Sequence, residues 1–159
     1  MQLRVDTGFL RTILGPDRLS DADVQAIARL AYLAAEIDFE EDEAEQATLD
    51  GAASQLWALA ALPPSPVPPV SPLPLDDEER RQRIEELARQ LSTRGTRELA
   101  YVLAYLLVVA DHELAPVEGR FLDDLQRTLS VSDERASELA LYSAERATPG
   151  VSTAERLEP

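Results

Sequence analysis

Apolar residues recur at helical spacing along most of the chain, with short polar breaks between the apolar stretches. The spacing predicts helices over about 5–14, 20–37, 43–61, 76–92, 99–110, 116–129 and 132–147. Ser20 and Ser132 are placed as N-caps, and Gly15-Pro16 ends the first helix. No strand is predicted, because β-branched residues cluster only at Val108 and Val109. The pattern therefore predicts an all-α fold.

One stretch of the chain is present twice. Residues 103–129 repeat residues 30–56 at a constant offset of 73, with ten identities in 27 ungapped positions. Each copy reads as an apolar helix, an acidic turn and a second amphipathic helix. Chance similarity between amphipathic helices explains the apolar matches, but not three acids in register within a turn. Internal duplication of one helical hairpin is the simplest account.

A proline-rich segment separates the two copies. Seven of the 14 residues in 62–75 are proline, so this segment is expected to adopt polyproline II. It is interpreted as a semi-rigid strap, since no basic residue flanks it as ligands of proline-reading modules often require. The predicted organisation is a short N-terminal helix (1–18), a helical domain with the proline-rich insert (19–147) and a flexible tail (148–159).

Charge and composition exclude several classes of function. Thirty acids against 15 bases give a net charge of −15, and every base is arginine. Such a surface repels phosphate backbones, so no nucleic acid is expected as a partner, whereas cations and basic surfaces are favoured. The absence of cysteine excludes thiolate metal sites and thiol catalysis, and the single histidine, His112, argues against histidine-based sites.

The chain is expected to be cytoplasmic and not to insert into a membrane. Its longest apolar run, 12 residues over 99–110, is too short to span a bilayer. The N-terminal stretch also lacks the apolar core of a signal peptide.

The acidic turns carry the candidate chemistry. Each turn brings together carboxylates from the end of one helix and the start of the next, where like charges repel unless a cation intervenes. A hard divalent cation with oxygen ligands (Ca, Mg or Mn) satisfies this arrangement. The candidate metal ligands are Asp38, Glu40, Glu45, Asp111, Glu113 and Glu118. Solvated surface acids and self-capping turns are the alternatives.

Known catalytic and metal motifs fit these turns poorly. An EF-hand is excluded, because Glu43 stands where glycine is needed and Leu49 where a bidentate glutamate is needed. A hydrolase using paired carboxylates lacks any nucleophile signature, so no catalytic residue and no enzymatic activity are predicted.

The second turn resembles a known family. The residues Ala110 to Glu118, ADHELAPVE, followed by a Phe-Leu helix and the break at 129–132, are similar to the motif of the tellurite-resistance TerB-like domain. That family also carries the motif twice, and the resemblance covers about 19–147. His112 and Phe39 stand where the family has glycine, and phenylalanine is poorly suited to a positive φ.

The resemblance implies an all-α, single-domain helical bundle built from two related helical hairpins. It implies a non-enzymatic module, with a divalent-metal site, that acts as scaffold or sensor in bacterial stress or tellurite-type resistance. A protein partner is expected, either a membrane protein or a basic surface. The alternative is a metal-free protein–protein adaptor that uses the acidic face and the proline-rich segment.

Overall fold

The computed structural model describes residues 7–36, 51, 53–61, 76–108 and 116–146. This part of the chain forms helices and contains no strand, which confirms the all-α class. The helices are α1 (Thr7–Leu14), α2 (Asp21–Glu36), α3 (53–59), α4 (Asp77–Arg89), α5 (Arg94–Val108), α6 (Pro116–Thr128) and α7 (Asp133–Arg146). The proline-rich segment 62–75, both acidic turns and the C-terminal tail lie outside the described residues.

Helix α5 is the centre of the bundle. It packs against α1, α2, α6 and α7, while α4 packs against α2 and α6. Most of its described apolar side chains are buried, and Leu99, Ala100, Val102 and Ala104 have no exposed surface. A helix that is apolar around its whole circumference can only be stable inside a protein or a membrane. The pattern of the sequence thus places α5 inside a shell of amphipathic helices.

Side-chain caps fix where three helices, α2, α4 and α7, begin. Ser20 and Asp23 exchange side-chain to backbone hydrogen bonds of 3.1 and 3.0 Å at the start of α2. Asp76 and Glu79 form the same reciprocal box at α4, and Ser132 Oγ accepts a hydrogen bond from the Arg135 backbone N–H at α7. Each cap satisfies backbone donors that have no partner within the helix. The predicted caps at Ser20 and Ser132 are confirmed.

The sequence predicts a break after residue 92 and a fifth helix only from about residue 99, but this start is wrong, because α5 already begins at Arg94. Thr93 Oγ1 accepts a hydrogen bond from the backbone N–H of Thr96 at 3.2 Å, which is the geometry of an N-cap. Thr96 itself is fully buried, and its hydroxyl donates to the Thr93 carbonyl oxygen. Thr93 therefore caps the start of α5, and Thr96 lies in its first turn.

Helices α2 and α5 start at the same end of the bundle. The Asp17 carboxylate, just before α2, accepts a hydrogen bond of 2.8 Å from the backbone N–H of Gly95 in the first turn of α5. These two helices also form the most extensive helix pair of the described residues. Because they share a start and remain in contact, they run in the same direction and end at the same end.

Equivalent positions of the two repeats have the same burial. Leu30 and Leu103 are both buried, as are Ala31 and Ala104, and Leu33 and Leu106. Tyr32 and Tyr105 are both partly buried against the core. The two repeated helices therefore present the same face to the interior. None of the described helices is long and apolar enough to cross a membrane.

Candidate functional site

The predicted cation ligands lie almost entirely outside the described residues. This holds for Asp38, Glu40, Glu45, Asp111 and Glu113. Glu118 is the third residue of α6, so its predicted place in the first turn of a helix is confirmed, although its side chain is not among those described. Within the described ranges, no group of three or more acidic or histidine side chains is arranged to hold a metal ion.

The direction of α2 and α5 nevertheless bears on the two acidic segments. The first segment follows α2 directly after Glu36, and the second follows α5 directly after Val108. Since these helices end at the same end of the bundle, the last described residues before the two acidic segments, Glu36 and Val108, lie there.

A different charged cluster lies at the opposite end, where α5 begins. Glu98 is 5% exposed, although it is charged. Arg135 on α7 donates two parallel hydrogen bonds to it, from Nε to Oε2 and from Nη2 to Oε1, each 2.9 Å long. Arg94 Nε donates a third, also 2.9 Å, to Oε2. A two-point pairing of guanidinium and carboxylate fixes both side chains in position.

The electrostatics of this cluster favour the charged forms. Burial alone raises the pKa of Glu98, but hydrogen bonds from Arg135 and Arg94, together with their positive charges, outweigh it and leave the pKa below its ordinary value. The hydrogen bond to Glu98 raises the pKa of Arg135 above its already high ordinary value. The buried carboxylate is therefore compensated and remains ionised at neutral pH.

A cavity of about 360 Å³ opens beside this cluster. Its lining comes from the start of α5 and from the turn between α6 and α7, and consists of Arg94, Arg97, Glu98, Leu129, Ser130, Val131, Ser132 and Arg135. Three arginines face one glutamate, so the cavity is locally positive in a protein of net charge −15. Its volume lies within the range of small-molecule sites.

Backbone interactions shape two sides of this cavity. Arg97 Nε donates to the carbonyl oxygen of Leu91 at 2.9 Å, which holds its guanidinium at the end of α4. Ser130, two residues after the end of α6, has a φ of 61°, a conformation that residues other than glycine rarely adopt. The turn there is held by the Val131 backbone N–H, which donates to the Gln126 carbonyl oxygen at 3.0 Å.

Sequence reasoning missed this cluster. Its local signal is an acid, Glu98, immediately before an apolar run that becomes fully buried, with Arg94 four residues earlier on the same helix face. The partner Arg135 lies 37 residues away on another helix, and no spacing rule connects the two.

No protein-family model, curated protein or solved structure matches the chain.

Proposed function

We propose that this chain is a non-enzymatic, TerB-like helical module that binds a divalent cation with the carboxylates of its two acidic segments. In this role it acts as a scaffold or sensor in a bacterial stress or tellurite-type resistance system. The candidate ligands are Asp38, Glu40 and Glu45 in the first segment and Asp111, Glu113 and Glu118 in the second.

The observation that supports this proposal is the shared direction of α2 and α5. The contact between Asp17 and Gly95 brings the starts of the two helices together, and their extensive packing keeps them side by side. The last described residues before the two acidic segments, Glu36 and Val108, therefore lie at one end of the bundle. Acids concentrated in this way repel one another, and a hard cation with oxygen ligands relieves the repulsion.

The repeat adds a second line of support. The acids of the two segments align at an offset of 73 residues. The same offset aligns helix positions that have equal burial. Two equivalent helices thus lead into two equivalent sets of acids. Either one ion is shared between the segments, or each segment binds its own ion.

Calorimetric titration tests this function. The purified protein is stripped of metal with EDTA, dialysed, and titrated with Ca²⁺, Mg²⁺, Mn²⁺ and Zn²⁺ in turn. We expect one of these ions to bind saturably, and to add about 2.7 kcal/mol to the free energy of unfolding at 100 times its Kd. Binding by Asp111→Asn should be lost or greatly weakened.

Two further variants locate the ion. A single shared site loses all binding in either Asp38→Asn or Asp111→Asn, whereas separate sites lose one of two ions in each variant. Glu134→Gln is the matched control, because it removes an exposed acid from the first turn of α7 and should leave binding unchanged. If no ion binds, or if Glu134→Gln weakens binding as much as Asp111→Asn, the cation proposal fails.

A metal-free adaptor is the second candidate function. It is favoured by the net charge of −15 and by the seven prolines of segment 62–75, which give the chain an acidic surface and an extended segment for docking. An arginine-rich peptide should then bind the EDTA-treated protein, with an affinity that falls steeply as salt is added. Binding that requires a divalent ion would contradict this alternative.

A further inference from the structure

We propose that the cavity at the start of α5 is a binding site for an oxyanion, a phosphoryl or carboxylate group of a small molecule. Its ligands would be the guanidinium groups of Arg94 and Arg97 and the hydroxyl groups of Ser130 and Ser132. This site is separate from the proposed cation site, because α5 is 15 residues long and its two ends lie about 22 Å apart.

The first argument is that two guanidinium groups keep hydrogen-bonding capacity that the protein does not use. Arg94 donates a hydrogen bond from Nε to Glu98, and Arg97 donates one from Nε to the carbonyl oxygen of Leu91. Among the described residues, the Nη1 and Nη2 atoms of both arginines have no partner. Arg97 is only partly exposed, and its hydrogen bond to the carbonyl oxygen of Leu91 holds its guanidinium group beside the cavity. A guanidinium fork of this kind matches the planar carboxylate and the phosphoryl group.

The second argument is that the buried carboxylate positions the arginines without neutralising all of them. Glu98 receives its hydrogen bonds from Arg135 and Arg94, and exposed Glu138 takes a further one from Arg135 at 2.9 Å. Each of the three guanidinium nitrogens of Arg135 thus donates to a carboxylate, and this residue supports the wall of the cavity. Arg97 has no acidic partner among the described residues. Arg94, whose side chain is 78% exposed, shares Glu98 with Arg135. The lining therefore keeps an excess of positive charge.

The third argument concerns Ser130. Glycine is the residue that ordinarily occupies a positive φ at the end of a helix, because it has no Cβ. At φ 61° the chain instead carries a serine, and this residue is part of the cavity lining. Ser132, two residues later, already accepts a hydrogen bond from the Arg135 backbone N–H, and its hydroxyl proton is available to an anion.

The net charge of the protein does not outweigh these contacts. At physiological salt the screening length is about 8 Å, so acids elsewhere on the surface act weakly at the cavity. The guanidinium groups lie against the ligand itself and act within that distance. The site thus attracts an anion locally, although the molecule as a whole repels anions.

Titrations at constant ionic strength test the proposal, with inorganic phosphate and succinate as the probes. Backbone amide chemical shifts locate the bound anion, and we expect saturable shifts at Gly95, Ser130, Val131 and Ser132 with at least one probe. Binding of phosphate alone assigns a phosphoryl ligand, and binding of succinate alone assigns a carboxylate. Absence of saturable binding by both probes would overturn the proposal.

Three variants make the test specific. Arg97→Gln should weaken binding about tenfold or more, because it removes a charged donor. Ser130→Gly should weaken it to a smaller extent while the turn becomes easier to form, so that loss of binding there cannot be attributed to unfolding. Arg83→Gln, on the exposed face of α4, is the matched control and should bind as the unaltered protein does. Equal affinity in Arg83→Gln and Arg97→Gln would show that the anion binds elsewhere and would overturn the assignment.

Discussion

Glu98 and Arg135, 37 residues apart, join the second turn of α5 to the first turn of α7 through two parallel hydrogen bonds of 2.9 Å. The side chain of Glu98 is 6% exposed and that of Arg135 is 33% exposed, so the pair lies at the boundary between core and solvent. A buried carboxylate is costly unless its charge and its lone pairs are satisfied. Here Arg135 and Arg94 together meet that requirement, and the pair fixes α7 against the central helix.

Replacing the carboxylate should therefore destabilise the fold. We expect Glu98→Gln to lower the free energy of unfolding by about 2 kcal/mol, because two charge-assisted hydrogen bonds to Arg135 are lost or weakened. Urea denaturation followed by circular dichroism measures this. Glu138→Gln is the matched control, since it removes an exposed carboxylate from the same arginine and should cost at most about 0.5 kcal/mol. Equal losses in the two variants would contradict the special role of Glu98.

The same pair predicts a dependence of stability on pH. The pKa of Glu98 in the folded protein lies below its ordinary value of 4.5, because the hydrogen bonds and charges of Arg135 and Arg94 outweigh the effect of burial. A carboxyl whose pKa is lowered by folding contributes stability that is complete above the unfolded pKa and is lost as pH falls through the folded pKa. We expect the stability difference between the unaltered protein and Glu98→Gln to be constant from neutral pH down to about 5, and to shrink below that. A difference that stays constant to pH 3 would refute this account.

Two glycines should respond in opposite ways to replacement by alanine. A Cβ at Gly95 would overlap the backbone carbonyl oxygen of Leu14 and crowd the Asp17 carboxylate, so α1 would have to move away from α5. We expect Gly95→Ala to destabilise the protein by about 3 kcal/mol. In the part of the chain that the structure describes, no heavy atom lies within 4 Å of a Cβ added at Gly119 in α6, so Gly119→Ala should stabilise by about 0.5 to 1 kcal/mol through helix propensity. Thermal melts of the two variants check both signs.

The cap of α7 gives a fourth prediction. Ser132 Oγ accepts a hydrogen bond of 3.1 Å from the Arg135 backbone N–H, so Ser132→Ala should lower the free energy of unfolding by about 1 kcal/mol. Ser137, exposed in the middle of the same helix, is the control, and Ser137→Ala should have no destabilising effect. Urea denaturation gives the free energy of unfolding of both variants. The difference between them distinguishes the effect of losing the cap from the effect of losing a serine hydroxyl elsewhere on the helix.

Local features of the fold were predictable from the sequence, because their causes are local. Ser20 and Ser132 cap helices through backbone groups only a few residues away, and the buried face of α1 follows from the spacing of Phe9, Leu10 and Ile13. The start of α5 was misplaced because one of the contacts that support it is not local. The sequence of Arg94, Gly95 and Thr96 is typical of a break between helices. In the structure the Gly95 backbone N–H, in the first turn of α5, donates to the carboxylate of Asp17, which is 78 residues away in the chain.

The two candidate sites differ in how much of each could be predicted from the sequence. The acids of the cation site stand out as a run, and their register follows from the repeat offset. The oxyanion site combines the start of α5 with the turn between α6 and α7, so only the packed bundle brings Arg97 and Ser130 to one cavity. Arginines scattered among many others give no periodic signal, and only tertiary structure identifies them as a group.

The burial of Trp57 determines what spectroscopy can report on this protein. It is the only tryptophan of the chain, it lies in α3 with 2% of its surface exposed, and its indole N–H has no hydrogen-bond partner among the described residues. Its fluorescence in the folded state should therefore have its maximum at short wavelength and shift to the red on unfolding. Emission reports the immediate surroundings of Trp57 in α3, whereas ellipticity follows all the helices. Coincident transitions in the two signals would show that α3, next to the proline-rich segment, melts together with the rest of the bundle.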